Sequence, residues 1–206
     1  ALTLAGSEAV LASCLFSGNE ALTHGGYSYG GGAIHCHSSS PVLRECEFTG
    51  NFAHCGGAVY LTTDSNARLV DCTFKSNDAM GYAGAIFCYE GSNAVVTGGD
   101  FTTNTAGYRG GAILTAECDS RITDCVFDGN VAYADYSSYG GGAICVHGGS
   151  PGIRDCEFTS NEAVRGGALR PPEAAGNPVG STTHISTADE HGCLVSTTSS
   201  NGESAT

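Results

Sequence analysis

The sequence contains no tryptophan, a single lysine (Lys75) and no long apolar run. Lysine and arginine together number 8, against 21 aspartates and glutamates, and the formal net charge is -13. These deficits argue against nucleic acid and anionic membrane surfaces as partners, because both are bound through clustered basic side chains. No stretch approaches the roughly 20 apolar residues of a membrane-spanning helix, so we expect no membrane insertion by this segment.

Several common functional motifs are also missing. The eleven cysteines include no Cys-x-x-Cys pair, which argues against a zinc finger. Gly-x-Ser-x-Gly, the P-loop and the dinucleotide fingerprint are absent. The N-terminal stretch ALTLAGSEAV lacks the basic start and apolar core of a signal peptide, so targeting or anchoring elements are expected outside this chain.

What the sequence does contain is a repeat. The phrase Phe-x-x-Asn-x-Ala occurs six times, at intervals of 26 or 27 residues that two insertions lengthen to 32 and 31. Its phenylalanines are Phe16, Phe48, Phe74, Phe101, Phe127 and Phe158. Its asparagines are Asn19, Asn51, Asn77, Asn104, Asn130 and Asn161. Such a period indicates a stack of similar structural units.

Further residue types recur at fixed positions relative to this phrase. A Gly-Ala pair followed by a branched apolar residue also recurs six times. Its alanines are Ala33, Ala58, Ala85, Ala112, Ala143 and Ala168. Two residues before each phenylalanine stand Cys14, Cys46, Cys72, Gly99, Cys125 and Cys156. Five residues before it stand Leu11, Leu43, Leu69, Val96, Ile122 and Ile153. The two-residue spacing of inward positions is typical of strands.

These columns predict an all-β, single-stranded parallel β-helix of about six coils over residues 1–169. Each coil is predicted to hold three short strands, paired with the coils above and below at about 4.8 Å. Phenylalanine, asparagine, isoleucine and cysteine would then form ladders of like residues. The repeat stops after Leu169, so residues 170–206 are predicted to be an irregular tail or a cap.

The pairing of Gly-Gly-Ala-Ile with Phe-x-x-Asn resembles the repeat of chlamydial polymorphic outer membrane proteins and of pectate-lyase-like right-handed β-helix repeat proteins. The resemblance covers residues 1–169. It implies a right-handed coil and a cell-surface or secreted setting. It does not imply catalysis, because similar repeats occur in adhesins and autotransporter passengers.

Two insertions, Leu22–Tyr29 and Tyr133–Tyr139, are predicted to bulge from one corner as loops. They are rich in tyrosine and form possible binding loops, although tolerated surface insertions are the favoured interpretation. Their tyrosines are Tyr27, Tyr29, Tyr133, Tyr136 and Tyr139.

Carboxylates cluster at outward positions near the phenylalanines. The two groups are Glu45, Glu47 and Asp71, and Asp124, Asp155 and Glu157. They are calcium candidates or a sugar-cleaving pair in one interpretation, and a solvated face balanced by interleaved arginines in the other. The second is favoured because the clusters recur with the repeat, whereas an active site occurs once. No cofactor is expected, and calcium remains possible.

Histidine and cysteine offer two further possibilities. His35 and His37 share one side of a strand, and a metal site would need His54 or His147 as a third ligand; a surface pair without metal is the simpler interpretation. The column cysteines are interpreted as buried thiols, because stacked parallel side chains make poor disulfide geometry. The better candidates for a bridge lie off the column, at Cys55, Cys118, Cys145 and Cys193.

The function indicated is a non-catalytic extracellular or cell-surface scaffold, adhesin-like, with surface glycans or proteins as partners. The N-terminal stretch already follows the repeat, and an open β-helix end presents unpaired strand edges, so we expect either more protein before Ala1 or end-to-end stacking of copies into a fibre. The alternative is a polysaccharide lyase or glycoside hydrolase acting on anionic glycans. An ice-binding face is disfavoured because Lys75 and Asp128 interrupt the threonines of the column after phenylalanine.

Overall fold

The computed structural model describes residues 2–21, 30–133, 140–164, 166–170, 182–185 and 196–198. These residues form 27 short strands and no helix, arranged in four sheets. The predicted parallel β-helix is confirmed, and the sheets wind around one apolar core. Within the same residues, no helix is long and apolar enough to cross a membrane.

Each complete coil contributes four strands, so the prediction of three strands per coil was wrong. Sheet A contains β1 (Leu2–Ala5), β5 (Ile34–His37), β9 (Val59–Thr62), β13 (Ile86–Tyr89), β17 (Ile113–Ala116), β21 (Ile144–His147) and β25 (Leu169–Arg170). Sheet B contains β2 (Val10–Ala12), β6 (Val42–Arg44), β10 (Asn66–Val70), β14 (Asn93–Thr97), β18 (Arg121–Thr123) and β22 (Gly152–Arg154).

The repeated phenylalanines lie in sheet C and the alanines after asparagine in sheet D. Sheet C contains β3 (Leu15–Ser17), β7 (Glu47–Thr49), β11 (Thr73–Lys75), β15 (Asp100–Thr102), β19 (Val126–Asp128), β23 (Cys156–Thr159), β26 (Thr182–Ile185) and β27 (Ser196–Thr198). Sheet D contains β4 (Glu20–Ala21), β8 (Phe52–Cys55), β12 (Asp78–Tyr82), β16 (Thr105–Ala106), β20 (Val131–Ala132) and β24 (Glu162–Ala163).

The region after the repeat adds two strands of a different kind. Strand β26 pairs antiparallel with β23, the last repeat strand of sheet C, and β27 pairs antiparallel with β26. Every other strand pair in the four sheets is parallel. The segment predicted as a tail or cap therefore covers one edge of the stack with backbone hydrogen bonds.

The phenylalanine ladder is continuous from Phe16 to Phe158. Successive ring centroids are 4.7 to 5.0 Å apart and their planes agree within 9°. Five of the six rings are completely buried, and Phe16, on the first coil, is partly exposed. The ladder thus supplies both burial of apolar surface and ring stacking at every step of the coil.

The asparagine ladder closes the corner between sheets C and D. The Oδ1 atom of Asn104 accepts hydrogen bonds from the backbone N–H and the Nδ2 of Asn77, one coil earlier, at 3.1 and 2.9 Å. Its own Nδ2 donates to the carbonyl of Phe74 and to Oδ1 of Asn130, both at 2.9 Å. This pattern satisfies buried backbone groups that the turn leaves without strand partners.

A serine ladder, which the sequence analysis did not find, closes the corner between sheets A and B. Ser39, Ser65 and Ser92 are buried, and each accepts a hydrogen bond from the backbone N–H of the serine one coil earlier, at 3.1 Å. The same corner contains Ser38, Thr63, Glu90 and Glu117, all with φ between 48° and 57°. Glycines with positive φ also occupy this corner in other coils, at Gly6, Gly91, Gly148 and Gly149, so no single residue type marks the turn in every coil and the fourth strand was not predicted.

The Gly-Gly-Ala phrase forms the corner between sheets D and A. Its first glycine has positive φ at Gly56, Gly110 and Gly141, and Ala83 takes the same conformation in one coil. A Cβ on the second glycine, as at Gly84, would overlap the carbonyl oxygen of the matching glycine one coil on. The first glycine therefore serves the backbone turn, and the second allows successive coils to approach each other.

Candidate functional site

The outward face of sheet A is covered by apolar side chains where a solvated face would be expected. The outward column on this face consists of His35, Tyr60, Phe87, Leu114 and Cys145. The last four are no more than 6 % exposed. They form a second apolar cluster, separate from the core inside the coil, together with residues such as Cys55 and Ala83.

Aromatic rings continue along this column. His35 stacks on Tyr60 with ring centroids 5.3 Å apart, and Tyr60 stacks on Phe87 at 5.1 Å, with interplanar angles of 17° and 18°. The Phe87 ring also contacts Tyr82 at 5.9 Å and Tyr89 at 5.7 Å. Phe87 is therefore the centre of an aromatic group on the outside of the coil, and the ladder ends there because the next rung is Leu114.

The wall on the side of sheet D is made by Cys55, Tyr82 and Arg109. An isolated parallel bridge joins Tyr82 to Arg109, and another joins Arg109 to Gly140. The Tyr82 ring contacts Tyr108 at 5.4 Å and meets the buried His54 edge-on at 6.4 Å. These contacts position a tyrosine and an arginine beside the aromatic column.

The opposite wall is a second outward column and the A–B corner. Tyr89, Ala116 and His147 follow one another in register on β13, β17 and β21. Thr62, Thr63 and Glu90 complete this side. The two walls enclose a groove of about 690 Å³, which we call the sheet A groove. Its lining residues are His35, Cys55, Tyr60, Thr62, Thr63, Tyr82, Phe87, Tyr89, Glu90, Arg109, Leu114, Ala116 and His147.

The surroundings of His35 in the groove favour its neutral form. Burial lowers the pKa of His35, and the charge of His37 lowers it further. The Nε2 of His35 lies 3.3 Å from the Thr62 hydroxyl. Burial also lowers the pKa of His54 behind Tyr82, and it raises the pKa of the Cys55 thiol to about 12. The groove therefore combines aromatic surface, neutral polar groups and one side chain of each charge, Arg109 and Glu90.

The predicted carboxylate clusters occupy a different part of the molecule. Glu45, Asp71, Asp124 and Asp155 all lie at the B–C corner with φ between 49° and 54°. Asp tolerates this left-handed conformation better than most residues, so the column has a structural cause. Glu47 and Glu157 point outward from sheet C, and all six side chains are exposed.

The described residues contain no group of three or more His, Cys, Asp or Glu side chains that could hold a metal ion. The acidic residues are thus not brought together as a calcium site. Nor do His35 and His37 gain a third ligand from His54 or His147. His37 and His147 share one column but are four coils apart.

The predicted binding loops fall mostly outside the described residues. This applies to Tyr27, Tyr29, Tyr136 and Tyr139. Tyr133, just after β20, is described and is 65 % exposed. It does not line the sheet A groove.

The cysteines are thiols throughout the described residues. Cys55, Cys118 and Cys145, which the sequence analysis favoured for a bridge, form no disulfide, so that prediction was wrong; Cys193 lies outside the described residues. In the column, the thiols of Cys46 and Cys72 each donate to carbonyls, at 3.3 to 3.7 Å, and behave as small core residues. Burial raises the pKa of Cys36 and Cys88 to about 12.

The groove itself was missed by the sequence analysis, although the sequence contains a signal for it. Strands β9, β13, β17 and β21 read VYLT, IFCY, ILTA and ICVH, with apolar residues at adjacent positions. A strand that is apolar on both faces is buried on both faces. The outward Tyr60, Phe87 and Leu114 could have been identified on that basis.

Comparison with known proteins supports the fold over nearly the whole chain. The family model described as "right handed beta helix region" matches residues 2–202. A stretch of 89 residues, 40% of this chain, is 38% identical to the probable autotransporter YfaL of Escherichia coli (strain K12). The aligned stretch spans 7% of that relative's length. No solved structure matches the chain. The chain belongs to the right-handed β-helix family.

Proposed function

We propose that this chain is a non-catalytic scaffold segment of an extracellular or cell-surface protein, adhesin-like in the sense that it displays a binding face on a rigid rod. The observation that carries the proposal is the unbroken parallel register of the four sheets, with the same buried side chains at every coil. The relative named as a probable autotransporter supports a surface setting.

The state of the thiols is consistent with export. Nine of the ten described cysteines are buried, and only Cys14, on the first coil, is partly exposed. Oxidation proceeds through the accessible thiolate, and burial raises the pKa of thiols such as Cys36, Cys55 and Cys88 to about 12. A protein with this many cysteines therefore keeps its interior unmodified in an oxidising compartment. The net charge of -13 further favours solubility at an exposed surface.

The surface setting can be tested in the native organism. Intact cells are treated with a membrane-impermeant amine-reactive biotin reagent or with an added protease, with lysed cells as the control for total reactivity. We expect the protein to be labelled or cleaved in intact cells to the same extent as in lysed cells. Labelling only after lysis would contradict the proposal.

The fibre is proposed as a second aspect of the scaffold. Phe16, Leu11 and Cys14 on the first coil are only partly buried, and they pack against the core as the corresponding residues of later coils do. A further coil of the same kind would cover them, and either a segment preceding Ala1 or a second copy would supply it. We propose head-to-tail contact, in which the N-terminal coil of one copy meets β25, β22 and β24, the last described strands of sheets A, B and D in the next copy, while β26 occupies the sheet C edge.

Electron microscopy and analytical ultracentrifugation test this contact directly. We expect dimers or rods whose association weakens when Phe16 is replaced by lysine. A monomer at all concentrations would contradict self-association. It would leave the scaffold proposal intact, because that proposal is tested by surface labelling and not by association.

The alternative is an enzyme that cleaves anionic polysaccharides, and the sheet A groove is the observation that favours it. The groove places Arg109, Glu90 and His147 around an aromatic floor. Pectate, alginate and chondroitin are incubated with the chain, with and without calcium. We expect no cleavage. Cleavage that disappears in Glu90→Gln, which removes the carboxylate of the groove and keeps the length of the side chain, would contradict the scaffold.

A further inference from the structure

The two ends of the coil stack differ in how well their core residues are covered. On the first coil, Leu11, Cys14, Phe16 and Ala21 are all partly exposed. Their counterparts on the last coil of the repeat are buried, with exposed fractions between 0 and 6 %. These counterparts are Ile153, Cys156, Phe158 and Ala163. The apolar interior is therefore open at the N-terminal end and covered at the C-terminal end.

Sheet C is the sheet to which described strands are added after the repeat has ended. Strand β26 pairs with β23, and β27 pairs with β26; we call these two strands the sheet C cap. In this register Thr183 lies directly opposite Phe158, just as Phe127 does on the other side. Thr183 thus takes the place in the sheet that the phenylalanine of a further coil would take.

The sheet C cap makes the C-terminal end of the stack uneven. It extends sheet C by two strands beyond β23, which is about 10 Å at 4.8 Å for each strand. Among the described strands, sheets B and D end at β22 and β24 without such an extension. At the N-terminal end all four sheets begin within one coil, at β1, β2, β3 and β4. The first coil of a second copy would therefore meet β27 before it reached β22 and β24.

The direction of the cap strands also differs from what head-to-tail contact requires. Strand β26 is antiparallel to β23, whereas β3 of a second copy would continue the parallel pairing that β3 makes with β7. That parallel pairing stacks Phe16 on Phe48, with ring centroids 4.9 Å apart. The cap provides backbone partners to the sheet C edge but no further ring. A second copy would provide both, so it has more to gain at this edge than β26 has.

The cap is held to the stack by a short pairing. Its register with β23 covers three residue pairs, from Phe158 with Thr183 to Cys156 with Ile185. Short edge segments of this kind open locally at a lower cost than the core strands. Because β26 belongs to the same chain, it competes for the edge at an effective concentration on the order of 1 mM. A second copy at a much lower concentration displaces it only in a small fraction of molecules.

We propose that β26 and β27 form an autoinhibitory cap, which occupies the sheet C edge where β3 of a second copy would pair and thereby limits head-to-tail association. The proposal rests on the head-to-tail contact proposed for the fibre and assigns its regulation to Thr182–Ile185 and Ser196–Thr198. When β26 leaves, β23 is free to pair in parallel with β3 of the second copy, and Phe16 continues the ladder beyond Phe158. No covalent bond changes in this exchange.

Release of the cap tests the proposal in the full 206-residue chain. Thr183→Pro combined with His184→Pro removes two successive backbone donors, one of which is directed at β23 because donors alternate along a strand. Sedimentation velocity over a range of concentrations should show self-association at least about tenfold stronger than in the unmodified chain. Thr182→Pro is the matched control, because Thr182 pairs with β27 and not with β23. It should associate as the unmodified chain does.

A lock on the cap should have the opposite effect. Glu157 and His184 are directly opposed in the antiparallel register, so cysteines at both positions lie on one face of the sheet, within reach of a disulfide. Oxidised glutathione closes this disulfide and is itself reduced to two glutathione thiols. The oxidised double variant should stay monomeric at concentrations where its reduced form associates. Glu157→Cys and His184→Cys alone, oxidised in the same way, control for the lost side chains and for the partly exposed Cys14.

The contact that release makes available is identified by Phe16→Lys. Added to the Thr183→Pro, His184→Pro chain, it should return association to the level of the unmodified chain or below. Association that rises on release and does not respond to Phe16→Lys would show that the opened edge pairs in another way, and would overturn the proposal.

The remaining outcomes separate the cap from the fibre. If the unmodified chain associates and the proline variant associates no more strongly, the cap is refuted and the head-to-tail contact stands. If both stay monomeric at every concentration, the head-to-tail contact is refuted as well. Should the proline variant fail to fold by far-ultraviolet spectroscopy, the lock decides alone. A disulfide that does not close between positions 157 and 184, or an oxidised chain that associates as the reduced one does, would overturn the proposal.

Discussion

The C–D corner and the outer face of sheet A differ in how regularly their residues recur from coil to coil. At the C–D corner the same phenylalanine and asparagine recur on six coils, with ring spacings that differ by only 0.3 Å (4.7 to 5.0 Å). On the outer face of sheet A the column changes at every coil, from His35 through Tyr60, Phe87 and Leu114 to Cys145. The uniform columns stabilise the fold because each side chain packs against its counterpart on the next coil. The varied column forms an irregular surface that is confined to one place.

This contrast explains why the groove is a better site candidate than the acidic clusters. The carboxylates of Asp71, Asp124 and Asp155 recur with the repeat because the B–C corner needs a residue that tolerates positive φ. The groove occurs where the repeat breaks, at the step from the large Phe87 and Tyr89 to the smaller Leu114 and Ala116.

The largest effect is expected from breaking the uniform ladder. Phe74 is fully buried between Phe48 and Phe101, at 4.7 and 4.8 Å. Phe74→Ala should lower the free energy of unfolding by about 3–5 kcal/mol through lost burial and a cavity, measured by urea denaturation. Val126→Ala, on the outward face of the same sheet, is the control and should cost less than about 1 kcal/mol. Equal losses would contradict the ladder's role.

The asparagine ladder should come next. Asn104→Ala removes the acceptor used by Asn77 and the donor to the Phe74 carbonyl, all in buried surroundings. We expect a loss of about 2–4 kcal/mol in the same denaturation experiment, because buried polar groups are left without partners. Asn66→Ala, on the exposed side of β10, serves as the control and should lose under about 0.5 kcal/mol. A cost at Asn104 as small as at Asn66 would show that water replaces the ladder.

A smaller effect separates the corner role of Asp124 from a role in binding calcium. Asp124 has φ 54°, so Asp124→Val should cost about 1–2 kcal/mol, whereas Asp124→Gly should be near neutral. Both replacements remove the carboxylate. Thermal unfolding with and without added calcium distinguishes the two roles. A rise in Tm with calcium that both variants abolish would favour a metal site.

The smallest effect concerns pH. The pKa of His35 is lowered in the folded chain by burial and by His37, so the unfolded chain binds the proton more readily. The stabilisation by neutral His35 is present above the unfolded-state value of 6.5 and is lost as the pH falls through the lowered folded-state pKa. We expect His35→Gln to flatten the decline of stability below pH 6.5, measured by urea denaturation across pH. His147→Gln, at an exposed position on β21, is the control. An unchanged pH profile in His35→Gln would contradict the shift.

The repeated columns could be predicted from the sequence because each is a residue type that recurs at a fixed interval. Phe and Asn recur six times and Cys five times at the same intervals, and each matches a single physical role, so together they identify the coil. The fourth strand of each coil was not predicted, because the positive-φ residue of the A–B corner changes type from coil to coil, as from Thr63 to Glu90, and forms no repeated column.

The candidate site was harder to predict for a related reason. Tyr60, Phe87 and Leu114 come from different coils, and only the three-dimensional register brings them together. Asp124 and Asp155 show the opposite ambiguity, because an aspartate that tolerates positive φ cannot be distinguished in sequence from a metal ligand, and only the recurrence of the clusters favoured the correct interpretation. The sequence shows which functional groups are present, whereas the backbone conformation decides whether those groups are brought together as a site.

The most direct measurement compares Phe74→Ala with Phe16→Ala in urea denaturation, the same replacement in the middle of the phenylalanine ladder and at its first coil. Phe74 is fully buried between two rings, so its replacement should lower the free energy of unfolding by about 3–5 kcal/mol. Phe16 is only partly buried and stacks on Phe48, so its replacement should cost markedly less. Equal costs at the two positions would contradict a fold that is held by stacked, buried rings.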